Sequence, residues 1–297
     1  MGARIIGLGR GRNVSMILVT GGTGSTGSEL LGRLSRGGVA VRAMVRRRRG
    51  GALPGVEFVD GDFDSEPSVE RVLDGIERAF LVTNSSERAE SQQLAFVEAA
   101  RHAGVRHMVY LSQLRACKGS PVRFLRYHGV VEEAIAASGM AHTMLRPNLF
   151  MQGLLFLRST ILSEGRFFAP LAEARVSVVD VRDVAAVAAA ALTQTGHEGK
   201  TYDITGPEAL TQAEMATQLS RELGRRILFT DVPEAAMREV LLSWRMPEWQ
   251  AEGLIEDYAH YRRGEASGVS SAVQEVTGAA AHSFADFARD YRRAFSA

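Results

Sequence analysis

The chain has 297 residues, 45% of them hydrophobic, the composition of an ordinary globular protein with room for one large or two unequal domains. A net charge of +1 gives it no global field for nucleic acid or an anionic membrane, and no apolar stretch is long enough to span a bilayer. Its single cysteine, Cys117, excludes an internal disulfide and a cysteine-based metal cluster; a reducing cytoplasm fits, and no metal site is expected.

Residues 1–15 carry Gly7, Gly9 and Gly11 with no strand before them and no helix after, and read as a disordered extension. Met16 is then a candidate start of the fold. Ile17, Leu18 and Val19 form a buried-type strand that ends in Gly21-Gly22-Thr23-Gly24-Ser25-Thr26-Gly27, and apolar residues resume at helical spacing at Leu30, Leu31 and Leu34. Gly22, Gly24 and Gly27 fit G-x-G-x-x-G, in which one glycine permits the turn, one lets the backbone approach a pyrophosphate and the last lets helix and strand pack closely. The helix that follows aims unpaired N–H groups and its positive dipole end at the phosphates. All of Gly21 to Gly27 are therefore candidates for holding a dinucleotide.

Gly37 and Gly38 stop that helix, and Val39 to Val45 reads as the second strand. About 20 residues past the glycines, a protein selecting NAD places an acidic residue on the ribose 2′-hydroxyl. Here stand Arg46, Arg47, Arg48 and Arg49. A guanidinium suits a 2′-phosphate, so NADP(H) is expected over NAD(H), with Arg46 as the contact and Arg48 and Arg49 as a solvated loop. Val56 to Val59 is a third strand, followed by Asp62 and Phe63 as candidates for the adenine and by Asp64 or Ser65 as the cap of the next helix. Ala79 to Thr83 is strand four, with Thr83, Asn84 and Ser85 near the cofactor ribose. Arg88 to Ala103 is a helix closed by Gly104, and Val105 to Ser112 is strand five. Such alternation predicts a doubly wound α/β fold: a parallel sheet with helices on both faces and all strand ends on one rim, where the cofactor lies.

Residues 122–138 read as a helix, and Thr143 to Leu145 as a short strand broken by Arg146-Pro147. Beyond it, Phe150 to Leu162 reads as helix, Val176 to Val179 as strand, Asp183 to Leu192 as an alanine-rich helix and Tyr202 to Thr205 as a last sheet strand. Thr211-Gln212-Ala213-Glu214 is a capping box, Leu228 to Val232 a strand, and 234–263 and 284–295 are helical. The expected organisation is a dinucleotide-binding domain over 16–150, its sheet completed by about 176–206, and a smaller, mostly helical lobe over 151–175 and 207–297 for substrate or partner.

Together, TGGTGSTG after strand one, VRAMVRR at strand two, GDF after strand three, VYLSQL at strand five and the run HGVVEEAIAASGMAHTMLRPNLFMQG resemble the NmrA-like, atypical short-chain dehydrogenase/reductase family over about residues 16–295. The resemblance implies a Rossmann fold that binds NADP(H). It further implies either reduction of quinones, azo or triarylmethane dyes and related apolar acceptors, or a redox-sensing regulatory role without chemistry.

One departure bears on mechanism. Short-chain dehydrogenases carry Tyr-x-x-x-Lys on the helix after strand five, and those positions are Phe124 and His128 here. The chain's two lysines, Lys118 and Lys200, lie outside that helix, and Tyr127 has Val131 four residues on, so the proton-donating dyad is absent. Ser112 stands where the family places a hydroxyl, either functional or a strand-end cap. His128 bonds the nicotinamide ribose, donates a proton or merely covers an apolar face; positioning is favoured, with turnover then nearly independent of pH between about 5.5 and 8. Past Pro147, Asn148 touches the nicotinamide amide or makes a turn. Phe150, Met151, Phe168 and Trp244 are candidates for the wall of an apolar acceptor pocket. The expectation is an NADPH-dependent reductase of quinones or dyes. The alternative is an NADP(H)-binding sensor that docks a protein partner, or a second copy, through its C-terminal lobe. Sugar-nucleotide epimerisation needs the missing dyad.

Overall fold

The structure, a computed structural model, describes residues 16–47 and 52–296; the extension expected over 1–15, and Arg48 and Arg49, lie outside the described residues. Alternation along the strands decides which face each side chain serves. In β1 (Met16–Val19), Ile17 and Val19 are buried on one face and Leu18 on the other. In β5 (His107–Leu111), Val109 and Leu111 share the first face while Met108 and Tyr110 share the second. Apolar residues on both faces are what a strand covered from two sides requires.

These strands, with β2 (Val41–Val45), β3 (Val56–Asp60), β4 (Ile76–Leu81), β6 (Ala141–Pro147) and one later strand, make a seven-stranded parallel sheet. One face is covered by α1 (Ser25–Arg36) and α6 (Val181–Thr193), where Leu30, Leu31 and Leu34 pack with Val184, Ala188 and Leu192. The other is covered by α2 (Glu66–Leu73), α3 (Ala89–His102) and α4 (Arg123–Ala137) through Val72, Phe96, Val131 and Ile135. The remaining elements are α5 (Arg158–Glu164), β7 (Arg166–Ala169), β8 (Lys200–Ile204), α7 (Gln212–Leu223), β9 (Leu228–Asp231), α8 (Glu234–Ser243), α9 (Glu248–Arg262), α10 (Ala272–Thr277) and α11 (Phe284–Asp290). The sheet order is β3-β2-β1-β4-β5-β6-β8, the doubly wound α/β architecture expected from the sequence. The order reverses between β1 and β4, which opens a crevice beyond their carboxyl ends. A separate parallel pair, β7 and β9, sits in a second core with Ile161, Phe167, Leu219, Phe284 and Phe287.

Several local expectations give way to the surroundings. β6 continues to Pro147, because the missing N–H falls on the strand's last residue, where nothing further in the ladder needs it. Residues Met151–Leu157 form 3-10 turns ahead of α5, with Gly153 in the middle where an α-helix gains least. Val176 to Val179 is buried but is no strand: its backbone bonds in turn to Leu210, Ala266, Gly206, Leu149 and Met151, so no single neighbour forms a ladder with it. The 234–263 run divides at Pro247, which cannot donate into a continuing helix, and the last helix ends at Asp290. At α2 neither carboxylate nor hydroxyl caps: Ser65 is the N-cap without a side-chain bond, and Asp64 instead pairs with Arg88 at 2.8 Å and accepts from Gln92. β7 and α10 are too short for periodicity to reveal. Among the described residues no helix is long and apolar enough to cross a membrane, and no His, Cys, Asp and Glu group is arranged to hold a metal ion.

Thr20, fully buried just past β1, accepts from the Val82 N–H at 2.8 Å and donates toward the Val82 and Phe80 carbonyls at 2.9 and 3.1 Å. This hydroxyl ties the start of the glycine turn to the end of β4. Thr20→Val keeps the shape and orphans the Val82 N–H, so chemical denaturation should show a loss of about 1–3 kcal/mol. An unchanged midpoint would contradict the role given to this hydroxyl.

Candidate active site

The glycine turn is built by backbone contact. Gly21 has φ of 61°, in the left-handed region, and its carbonyl accepts from the Gly24 N–H at 2.9 Å. A Cβ on Gly27 would lie 2.2 Å from that same carbonyl oxygen, so only glycine lets α1 start this close to β1. Gly22, Thr26 and Gly27 are buried, whereas Thr23, Gly24 and Ser25 face solvent. No side chain caps α1 and no acidic residue stands in its first turn, so its leading N–H groups and positive dipole end are open to an anion. Past the end of β2, Arg46 and Arg47 are exposed and make no hydrogen bond or ion pair among the described residues. Asp62 is exposed, with Oδ1 accepting from the Asp64 N–H at 3.0 Å, and Phe63 is half-buried against Phe96.

Beside this turn lies a cavity of about 500 Å³. Val82 joins the two, since its Cγ1 occupies the space a Gly21 side chain would need and it also lines the cavity. Thr83, Ser85, Ser112, Gln113, His128 and Pro147 come to the cavity from the strand ends and α4; Asn84 stands outside, exposed. Phe150, Met151, Phe168 and Trp244 line it as expected, and Phe156 reaches it while 79% exposed.

The polar groups here are set by burial. Ser112 follows β5 and is buried; its Oγ has no hydrogen-bond partner, so it is not a strand-end cap. A chain of bonds runs behind it. The Tyr110 hydroxyl donates to Gln93 Oε1 at 2.6 Å, and Gln93 Nε2 donates to Thr83 Oγ1 at 2.5 Å. With its one hydrogen committed, Tyr110 must accept from His128, whose Nδ1 lies 2.6 Å away. His128 is thereby held as the Nδ1–H tautomer with Nε2 free to accept. Desolvation drives its pKa down to about 3, so the ring is neutral at any physiological pH and has no proton to give from Nε2. Asn148 is less available than expected. Its Nδ2 donates to Ser177 Oγ and to the Ala266 carbonyl, both at 2.8 Å, and its Oδ1 accepts from the Leu149 N–H, which makes it a tether between segments rather than an amide aimed at a ligand.

The model of the NmrA-like family matches residues 13–287. The chain belongs to the NmrA-like family. It is 37% identical over 285 residues to the NAD(P)H azoreductase of Xenophilus azovorans, across 95% of this chain and 100% of that one. It is 39% identical over 284 residues to the (4-alkanoyl-5-oxo-2,5-dihydrofuran-3-yl)methyl phosphate reductase of Streptomyces griseus subsp. griseus, across 95% and 99%. Among solved structures, the NADPH complex of the quinone oxidoreductase QOR2 from Escherichia coli matches with a TM-score of 0.83 at 26% identity, covering 93% of this chain and 99% of that one.

Within this NmrA-like frame one residue escaped the sequence reading. Asp257 on α9 is buried and lines the cavity; Gln113 Nε2 donates to its Oδ2 at 2.9 Å, and its Oδ1 has no partner. Desolvation raises its pKa to about 7. Helical periodicity gave no signal, because apolar and polar residues of α9 are spread around the helix and the buried stripe itself contains Gly253, Asp257 and His260.

The glycine turn fits a dinucleotide pyrophosphate, and the two end glycines make separable demands. Gly24 has ordinary extended backbone (φ −80°), and a Cβ there meets only Gly21 O, at 3.3 Å. Gly24→Val should therefore fold and fail to bind NADPH in calorimetry, whereas Gly27→Ala should lose more than about 2 kcal/mol of stability through the backbone clash. A Gly24→Val protein that binds NADPH normally would place the nucleotide elsewhere.

Proposed function

We propose that this NmrA-like chain is an NADPH-dependent oxidoreductase that delivers hydride to an apolar, electron-poor acceptor without an anionic group, such as a quinone, an azo dye or a triarylmethane dye. The observation that carries this reading is the cavity: among the described residues its lining is aromatic, aliphatic and methionine-rich, and contains no lysine or arginine. Unbranched methionines such as Met237 and Met246 adapt to flat ligands of differing outline. The Streptomyces relative is named for a phosphate ester; here no cationic side chain in the cavity would pair with a phosphate.

In this reading the open amides at Gly21 to Gly27 hold the pyrophosphate, and Arg46 pairs with the 2′-phosphate that distinguishes NADPH from NADH. Asp62 and Phe63 border the adenine, and Thr83, Asn84 and Ser85 the ribose side of the rim. The bound cofactor supplies the hydride. Ser112 offers an unclaimed hydroxyl and His128 an unclaimed Nε2 lone pair where the nicotinamide end meets the cavity, so His128 orients a ribose hydroxyl instead of moving a proton. Pro147 closes the rim beside them. Residues 151–175 and 207–297 supply the acceptor side. Cys117, exposed and alone, suits work in a reducing cytoplasm.

NADPH oxidation against a panel of quinones and dyes tests the assignment directly. Turnover with at least one acceptor is expected; tight NADPH binding with no turnover would replace it with a cofactor-sensing regulator. NADPH should bind at least ~10-fold tighter than NADH, one charge-assisted contact being worth roughly 1.5–3 kcal/mol, and Arg46→Ala should erase most of that difference. Equal affinities in the unmutated protein would remove Arg46 from the site.

A further inference from the structure

The reductase reading leaves the proton unexplained. Helix α4 has Phe124 where the related dehydrogenases carry their tyrosine acid, and His128 presents a lone pair. Beside the cavity, α9 is pressed onto α4: a Cβ on Gly253 would lie 2.4 Å from the Phe124 ring, and Arg123 bonds to Glu256 at 2.6 Å and to the Trp249 carbonyl at 3.1 Å. One turn beyond Gly253 this contact sets Asp257 into the cavity lining. Gln113, next to Ser112, holds its Oδ2, so in the neutral acid the proton sits on the unpartnered Oδ1. Neutrality follows from the surroundings. Tyr127 from α4 and Tyr258 and Tyr261 from α9 face Asp257 as buried, un-ionised phenols, and neighbouring Glu256 adds a negative charge that Arg123 largely answers.

We infer that Asp257 is the proton donor of the reaction. Oδ1 has almost no exposed surface, so a turn of the carboxyl about its Cβ–Cγ bond brings the O–H to the acceptor. Hydride from NADPH adds at one end of a quinone or azo π system; the carboxyl O–H bond breaks, and its proton forms the new O–H or N–H bond at the other end. Two electrons pass from cofactor to acceptor, and the carboxylate left behind takes its proton back from water once product has gone. A cationic triarylmethane dye accepts hydride at its central carbon and needs no proton, so it is an internal control. The inference rests on the reductase reading and is separable from it.

The test compares unmutated protein with Asp257→Asn and Asp257→Glu, using NADPH with a benzoquinone and with a cationic triarylmethane dye. Asp257→Asn should lower quinone kcat by about 100-fold or more, the scale of general acid catalysis, while dye reduction and NADPH affinity stay within about threefold; Asp257→Glu should recover part of the quinone rate. Because the acid form is the active one, quinone kcat in the unmutated protein should fall as pH rises through about 7, and dye reduction should not follow it. Difference infrared spectroscopy of the unmutated protein should show a protonated carboxylic acid lost over the same range. A variant equal to the parent on quinone, equal losses on both acceptors, or a carboxyl ionised throughout would each overturn the proton donor and leave the reductase standing. No reduction of either acceptor by NADPH-bound protein would overturn both. If Asp257→Asn does not fold, the infrared titration and the two pH profiles of the unmutated protein decide.

Discussion

The rim of this molecule depends on one backbone contact, the approach of Gly27 to the Gly21 carbonyl, which has no room for a single Cβ. It brings the start of α1 against the end of β1, so that the leading amides of the helix point over the sheet's carboxyl edge instead of into its side. The same approach lets Leu30, Leu31 and Leu34 reach the alanine-rich face of α6, where small side chains keep the two helices close to the sheet. Thr20 locks the other side of the turn to β4. The glycine turn and the neighbouring cavity are thus held by the same few atoms that hold the sheet's centre together.

Within the cavity, one physical cause acts on two titratable groups in opposite directions. Burial disfavours whichever form is charged, so it lowers His128 to about 3 and raises Asp257 to about 7. Near pH 7 the ring is then neutral and a large share of the carboxyl is protonated, but the two differ in what they offer. The bonds through Tyr110, Gln93 and Thr83 leave His128 an acceptor, whereas Gln113 leaves Asp257 a donor. A site without lysine or ionised tyrosine still presents one of each.

Much of the architecture was readable from pattern. The strand–glycine–helix unit and the alternation of strands and helices to Ser112 rest on local spacing, whereas the replacement of the usual dyad by Phe124 and His128 was legible only through the family resemblance. What failed was decided by distant partners. Val176 to Val179 has the composition of a strand, but its backbone groups go to several segments far along the chain. Asn148, left open between a ligand contact and a turn, lines the cavity while its amide bonds to Ser177 and Ala266, partners that local sequence does not show. Asp257 went unread because a lone acid on a helix gives no sign of burial until α9 is laid on α4, a contact set by Gly253 and by the Arg123 pair to Glu256.

The central claim is that the glycine turn and the apolar cavity are two ends of one site, bridged by a nicotinamide dinucleotide. A crystal structure of the protein with NADP(H) measures this most directly. The pyrophosphate should lie on the amides of Gly21 to Gly27, with the nicotinamide end at the cavity within hydrogen-bonding distance of Ser112 Oγ or His128 Nε2. A cofactor bound away from the glycine turn, or one whose nicotinamide points to solvent and leaves the cavity unconnected, would contradict it.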